Sequence, residues 1–165
     1  MSPNRHQDHV IIIPEDDADR QIANGFCSSY QLATRSRRVQ VVNETGGWHN
    51  AVATLHRIYV PHLREFNNSR VVLVIDFDSD ASRAAEVLEG LPEELRDRVF
   101  VIGSLTDPQD LARSFRKSLE EIGRDIADQC AEGTTQSLWG HDLLKHNQAE
   151  VVRLSNNVRS FLFSC

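Results

Sequence analysis

Acidic side chains follow two short apolar runs in the 165-residue sequence. The first run, residues 10–13, leads through Pro14 into the acidic segment 15–19, and the second, residues 71–75, leads into the acidic segment 76–80. A β-branched apolar run bounded by polar residues is typical of a buried parallel strand. The carboxyl ends of such strands are where α/β proteins bind ligands. Because carboxylates this close together need a cation or shared protons, the sequence predicts a divalent-metal site suited to phosphoryl-transfer or nuclease chemistry.

Five of these acids are predicted to be ligands of Mg²⁺ or Mn²⁺. Glu15 and Asp19 are four residues apart, which puts them on one side of a helical turn. Asp76, Asp78 and Asp80 alternate, so in an extended chain they share a face. Two ions in such a site would clamp the attacking and leaving oxygens of a phosphodiester. We therefore expect Glu15, Asp76 and Asp78 to be catalytic, with Asp19 and Asp80 as further metal ligands.

Some acids of the two segments are also suited to capping helices. Asp16 or Asp17 is a natural N-cap for the helix that follows the first run. Asp80 is equally suited to be the N-cap of a later helix. An EF-hand loop that starts at Asp76 is excluded, because its sixth and twelfth positions, Ala81 and Val87, are neither glycine nor glutamate.

The elements that must position these acids alternate between strand and helix. Strands are predicted over residues 9–13, 38–42, 70–75 and 98–103. Helices are predicted over residues 16–32, 48–66 with a kink or an early stop at Pro61, 82–88, 107–131, 136–144 and 147–163. This order predicts an α/β fold in which a compact, mostly parallel four-stranded sheet is flanked by helices and followed by a C-terminal helical extension. We expect a single domain over 1–165, with an α/β core over 8–115 and C-terminal helices over 116–165.

The composition limits which binding partners and which cellular compartment are expected for the protein. The net charge of −6 does not suit a general nucleic-acid binder. A single copy would therefore bind nucleic acid weakly, and a homodimer or a protein partner would strengthen that binding. Neither a membrane-spanning run nor an apolar signal core is present, so we expect no membrane association. The three widely spaced cysteines, Cys27, Cys130 and Cys165, predict reduced thiols and a cytoplasmic protein.

The two acidic motifs resemble the TOPRIM domain, the catalytic fold of topoisomerases, primases and overcoming-lysogenization-defect nucleases. That family carries a glutamate after its first strand and a DxD after its third, which Glu15 and Asp76-Phe77-Asp78 match. The spacing from Glu15 to Asp19 is similar to the nuclease branch, and Gly46-Gly47 resembles a family glycine after the second strand. The resemblance covers roughly residues 8–115. It implies Mg²⁺- or Mn²⁺-dependent phosphodiester cleavage in nucleic acid, with no catalytic base identified and His49 the nearest proton shuttle along the chain.

Two other interpretations remain open. The first strand with its acids, followed by Asp76 or Asp78, also resembles a response-regulator receiver, a signalling domain phosphorylated on aspartate. In that interpretation Ser104 or Thr106 stands for the switch hydroxyl, but the sequence contains no Lys-Pro pair and no apparent fifth strand. The other interpretation is a catalytically inactive TOPRIM fold that serves as an interaction module.

Overall fold

Four parallel strands form the single sheet of the computed structural model, which describes residues 4–29, 32, 38–133 and 138–163. The strands are β1 (His9–Pro14), β2 (Val39–Val41), β3 (Ser69–Val74) and β4 (Val99–Ile102). Their order across the sheet is β2-β1-β3-β4. The structure therefore confirms the predicted fold class, an α/β protein built on a four-stranded parallel sheet.

Seven α-helices are found among the described residues. They are α1 (Asp17–Cys27), α2 (Trp48–Thr54), α3 (Val60–Glu65), α4 (Arg83–Glu89), α5 (Pro108–Phe115), α6 (Leu119–Glu132) and α7 (Gln148–Leu162). Short 3₁₀ turns precede β4 and α7, over Glu93–Arg98 and Lys145–Asn147. None of the described helices has the length and apolar character needed to span a membrane.

Both faces of the sheet are buried, because side chains alternate along each strand. Ile11, Ile13 and Leu73 point to the face that is covered by the segment containing α2, α3 and α4. Val10, Ile12 and Val72 point to the opposite face, where residues of α1, α6 and α7 pack against them. Burial on both faces explains why β1 and β3 are continuous apolar runs. The C-terminal helices α6 and α7, together with α1, thus form one of the two layers that cover the sheet.

The helix predicted over 107–131 is divided into α5 and α6. Arg116 adopts a left-handed conformation with φ +52° after α5. Ser118 then starts α6 with a capping box, in which its hydroxyl accepts from Glu121 N–H and the Glu121 carboxylate accepts from Ser118 N–H. The prediction of one helix was wrong because the apolar spacing continues across this break, whereas the Ser-x-x-Glu signal marks a new N-terminus.

The segment predicted as a helix over 48–66 contains a π-helical turn, Leu55–Tyr59, between α2 and α3. Val60 N–H donates to the carbonyl of Leu55, five residues earlier. Pro61 follows directly, and a proline inside a helix lacks an N–H and crowds the preceding turn. The predicted disturbance at Pro61 is therefore accommodated by a wider turn instead of an early stop.

Two other helix boundaries differ from those predicted. Helix α1 ends at Cys27, where Ser28 N–H donates to the carbonyls of Gly25 and Phe26. Residues 136 and 137 of the short helix predicted over 136–144 lie outside the described residues, and 138–144 form turns without a helix. The last predicted helix is confirmed as α7. Cys27 and Cys130 form no disulfide among the described residues, and Cys165 lies outside them.

Candidate functional site at the carboxyl edge of the sheet

The strand order creates a topological switch point between β1 and β3. The chain leaves β1 to one side to form β2, and it later returns to form β3 on the other side. Ligands of open α/β sheets bind in the crevice at such a point, beyond the carboxyl ends of the strands. The residues that directly follow β1 and β3 in this protein are Glu15 and the Ile75-Asp76 pair. Both predicted acidic segments therefore begin at the edge where the fold favours ligand binding.

Glu15 and Asp76 are held together across this switch point. Glu15 N–H donates to Val74 O at 2.9 Å, which extends the β1–β3 pairing by one residue. In the other direction, the Glu15 carboxylate oxygen Oε2 accepts from Asp76 N–H at 2.7 Å. Burial raises the pKa of Glu15, against the lowering effect of this hydrogen bond. The backbone thus fixes the Glu15 carboxylate directly beside the start of the Asp76-Phe77-Asp78 motif.

The Asp76 carboxylate is anchored in the same manner. Its oxygen Oδ1 accepts from Asp78 N–H at 2.8 Å. Burial is the largest cause of the raised pKa of Asp76, and the charges of Asp78 and Asp107 add to it. Asp107 is the N-cap of α5, where its carboxylate accepts from Gln109 N–H at 2.9 Å. Asp107 thus contributes negative charge to this site, and it was not among the acids predicted from the sequence.

Asp19 is the most unusual side chain at this edge. Asp16 caps α1 by accepting from Asp19 N–H at 3.0 Å, which places Asp19 in the first helical turn. The Asp19 side chain is fully buried, and neither of its carboxyl oxygens accepts a hydrogen bond. Burial is the largest cause that raises the pKa of Asp19 to about 10, and the neighbouring acids Asp16, Glu15 and Asp76 contribute to this rise. Without a cation, Asp19 therefore holds a proton at neutral pH.

Asp78 and Asp80 do not share a face with Asp76, so the expectation of an extended Asp76–Asp80 segment was wrong. The chain turns sharply here, because Asp78 and Ser79 adopt left-handed conformations with φ +49° and +61°. Asp78 is largely exposed, and its oxygen Oδ2 lies 3.7 Å from the Arg83 guanidinium. The exposed Asp80 accepts hydrogen bonds from both the N–H and the hydroxyl of Ser82, which lower its pKa. Asp80 thus stabilises the turn before α4 and lies apart from the buried acids.

Arg83 is a neighbour of the site that sequence analysis missed. Its guanidinium donates to the carbonyl of Asp76 at 2.8 Å and lies 4.8 Å from the centre of the Trp48 ring. Arg83 is seven residues from Asp76, in the first turn of α4, and no local motif singles it out. His49, the predicted proton shuttle, is exposed at the start of α2.

Comparison of the chain with protein-family models, with curated proteins and with solved structures found no match. Among the described ranges 4–29, 38–133 and 138–163, no three His, Cys, Asp or Glu side chains are arranged so that they could hold one metal ion. The three inner acids are Glu15, Asp19 and Asp76, and the buried carboxyl group of Asp19 holds a proton.

The same three acids have the donor chemistry of a hard-cation site. Oε2 of Glu15 and Oδ1 of Asp76 are used by backbone N–H groups, which leaves the second oxygen of each carboxylate for another partner. Both oxygens of Asp19 are buried and accept no hydrogen bond, and the side-chain partner of this carboxyl is the acid Asp16. Mg²⁺ and Mn²⁺ prefer carboxylate oxygens, and Mg²⁺ takes one or two of them together with waters or phosphate oxygens. A cation that replaces the proton of Asp19 would relieve the repulsion among these acids.

Proposed function

We propose that the protein is a Mg²⁺- or Mn²⁺-dependent phosphoryl-transfer protein of the TOPRIM type that cleaves phosphodiester bonds in nucleic acid. One or two of the Glu15, Asp19 and Asp76 carboxylates would hold the metal, with waters and phosphate oxygens as its other ligands, and Asp78 would face the substrate side. The observation that carries this proposal is the Asp19 carboxyl group, which is fully buried, accepts no hydrogen bond and has another acid, Asp16, as its side-chain hydrogen-bond partner. Burying an ionisable group without a partner is costly, so such groups commonly mark functional sites.

The position of Asp19 supports a catalytic role over a structural one. A buried carboxyl that served only the fold would be expected to pair with an arginine, a lysine or backbone N–H groups. Asp19 has instead three acidic neighbours, Asp16, Glu15 and Asp76, at the switch point of the sheet. The two acidic motifs that resemble TOPRIM meet here through the Glu15–Asp76 hydrogen bond. This cluster of acids is explained if the carboxyl groups share a proton or bind a cation together.

Each residue has a distinct task in the proposed reaction. When bound, the metal ion supplies Lewis-acid activation of the phosphoryl group and lowers the pKa of a water nucleophile. In Glu15 and in Asp76, one carboxylate oxygen accepts a hydrogen bond from a backbone N–H group. These hydrogen bonds fix the orientation of each carboxylate, so that its second oxygen is positioned to bind the metal. Arg83 holds the backbone of Asp76 and lies beside Asp78 at the exposed rim, where its guanidinium can bind a phosphate oxygen. Asp19 gives up its proton when the metal binds.

The receiver interpretation is less well supported by the described residues. A receiver needs a lysine beside its phosphorylated aspartate, and the chain has two lysines, Lys117 and Lys145. Lys117 forms an ion pair with Asp125, and Lys145 with Asp142. Neither Asp125 nor Asp142 belongs to the acidic site. The sheet as described has four strands, so no fifth strand brings a lysine to this edge.

Cleavage of single-stranded, nicked and duplex DNA and of RNA with Mg²⁺ or Mn²⁺ tests the proposal. Asp76→Asn should lower the cleavage rate at least about 100-fold, since it removes a charged ligand while its amide oxygen can still accept from Asp78 N–H. Asp17→Asn is the matched control and should leave the rate unchanged, because Asp17 is exposed and its carboxylate accepts a hydrogen bond from the Gln21 side chain, away from the inner acids.

Two outcomes would overturn the proposed reaction. One is that no substrate is cut with either metal, and the other is that Asp76→Asn and Asp17→Asn cleave at equal rates. Acetyl-phosphate labelling of the same variants runs alongside. Covalent labelling that is lost in Asp76→Asn would assign the receiver function instead.

A further inference from the structure

The two outer strands of the sheet differ in how their backbone groups are satisfied. At the β4 edge, side chains of the C-terminal segment bond to the backbone that faces away from β3. Val101 N–H donates to Glu150 Oε2 at 2.9 Å. The Asn147 side chain accepts from Gly103 N–H at 3.2 Å and donates to the Gly103 carbonyl at 2.9 Å, as a neighbouring strand would. These bonds close the β4 edge to another strand, and such protection prevents edge-to-edge pairing.

Strand β2 forms the other edge, and its outward-facing backbone groups are unpaired. Val10 N–H donates to the carbonyl of Arg38 at 2.7 Å, and Val42 N–H donates to a carbonyl of β1 at 3.0 Å. Because alternate residues of a strand bond to the same neighbour, the N–H and carbonyl groups of Val39 and Val41 point away from β1. Within the ranges 4–29, 38–133 and 138–163, no hydrogen bond to these four groups is found. The β2 edge is therefore open to a further strand.

The sequence of β2 does not protect this edge. Lysine and proline are common devices against edge pairing, and residues 38–42, Arg-Val-Gln-Val-Val, contain neither. The segment is instead rich in valine, which favours strands. Ile58, whose side chain is 45% exposed, lines the same cavity as Gln40 of β2. An exposed apolar side chain thus lies beside the open edge.

We propose that the β2 edge pairs with the β2 edge of a second copy of this chain, which joins two four-stranded sheets into one. Closed pairs of identical subunits are related by a two-fold axis. Parallel pairing would need outward groups on odd-numbered residues of one strand and on even-numbered residues of the other. Both copies instead present Val39 and Val41. The two β2 strands must therefore run antiparallel.

Antiparallel pairing satisfies all four open groups of each copy when Gln40 lies on the two-fold axis. Val39 of each copy then faces Val41 of the other, and each of these two residue pairs exchanges two hydrogen bonds. Arg38 faces Val42 of the second copy, so no like charges lie opposite each other. The edge is thus complementary to itself in both hydrogen bonding and charge.

The Ile58 side chains add an apolar contact to these hydrogen bonds. Because Ile58 lies beside Gln40, the axis brings Ile58 of each copy toward the other. Four hydrogen bonds and this contact make a small interface, so we expect a weak dimer with a dissociation constant on the order of 10 µM. Pairing of β2 with β4 of another copy would build an open chain of molecules, but the side chains bonded to β4 prevent it. The association therefore ends at two copies.

The two candidate metal sites are not shared in this dimer. Since the β2 strands run in opposite directions, the carboxyl edges of the two sheets lie on opposite sides of the joined sheet. Glu15, Asp19 and Asp76 of one site come from one copy, so each site is complete without the second. The dimer proposal therefore does not rest on the proposed cleavage, and a monomeric protein would leave the cleavage proposal untouched.

Sedimentation velocity of the full chain, at protein concentrations below and above the expected dissociation constant, tests the dimer. We expect a reversible equilibrium between monomer and dimer. Ile58→Lys should raise the dissociation constant at least about tenfold, because it brings two positive charges together near the axis. Val152→Lys is the matched control and should leave the constant unchanged. Val152 is 46% exposed and is next in sequence to Arg153, whose side chain bonds to the β4 edge.

Amide hydrogen exchange locates the interface. The Val39 and Val41 amides should exchange about fivefold more slowly in concentrated than in dilute protein, because their N–H groups are hydrogen-bonded only in the dimer. The Gln40 amide faces β1 and is the internal control, which should exchange equally slowly at both concentrations.

Three results would overturn the proposed dimer. They are a monomer at every concentration, equal dissociation constants of Ile58→Lys and Val152→Lys, and Val39 and Val41 amides whose exchange does not depend on concentration. If the chain stays monomeric while a peptide of residues 38–42 slows the exchange of these two amides, the β2 edge binds a foreign strand and the dimer is likewise overturned.

Discussion

At the scale of single residues, the protonation of Asp19 links the candidate site to stability. The pKa of Asp19 is about 10 in the folded protein, against 3.8 for an ordinary aspartate. A group whose folded pKa is raised gives its full stabilising effect below the unfolded pKa and loses it as the pH rises toward the folded pKa. Between about pH 4 and pH 10 the folded state therefore binds a proton that the unfolded state has released. The raised pKa values of Glu15 and Asp76 act in the same direction.

The metal-free protein is thus expected to lose stability as the pH rises from 5 to 9. One proton of difference corresponds to at most about 1.4 kcal/mol per pH unit in the free energy of unfolding. Asp19→Asn should flatten this slope, because the amide has no proton to lose, whereas Asp17→Asn should keep it. Urea denaturation in EDTA at several pH values measures the slopes. A wild-type stability that stays constant or increases over this range would show that Asp19 is not protonated in the folded state.

At the scale of secondary-structure elements, the contact between α1 and α6 holds the first turn of α1 in place. The two helices approach so closely that glycine is required on both. A Cβ atom added at Gly123 would lie 1.9 Å from the carbonyl oxygen of Ile22, and one added at Gly25 would lie 2.0 Å from that of Glu120. Because Asp16 and Asp19 are at the start of α1, this packing helps to fix the acidic site.

Gly123→Ala should therefore destabilise the protein by about 3 kcal/mol, at the upper end of what overpacking costs, because backbone atoms must move apart. Gly90→Ala is the control and should change stability by less than about 1 kcal/mol. Gly90 has a negative φ, and its nearest contacts to an added Cβ are an ordinary 3.5 Å. Urea denaturation measures both. Equal stability of the two variants would contradict the close α1–α6 packing.

Some of the secondary-structure elements and site features could be predicted from the sequence, and others could not. The strands were predictable because β1 and β3 are buried on both faces and so read as continuous apolar runs. The convergence of the acids followed from the parallel order of these strands. The turn at Asp78 and the burial of Asp19 were not predictable, since the first depends on local backbone conformation and the second on how α1 packs. Arg83 and Asp107 were missed because tertiary contacts alone bring them to the site.

At the scale of the whole molecule, the net charge of −6 conceals a separation of charge along the strands. Acids gather beyond the carboxyl ends of β1 and β3, whereas an arginine lies at or next to the start of three strands. These arginines are Arg38, Arg70 and Arg98. A polyanion is repelled by the carboxyl edge until a cation binds there, so nucleic-acid binding at that edge should depend on the metal.

Calorimetric titration with Mn²⁺ at pH 7.5, in two buffers of different ionisation enthalpy, tests the central claim most directly. The account predicts saturable binding that releases about one proton per ion, because the metal replaces the proton of Asp19. Asp19→Asn and Asp76→Asn should each weaken binding at least about tenfold, Asp19→Asn should also abolish the proton release, and Asp17→Asn should behave as the wild type. No saturable heat at millimolar Mn²⁺, or binding without proton release that survives Asp19→Asn, would contradict a metal site built around the buried Asp19.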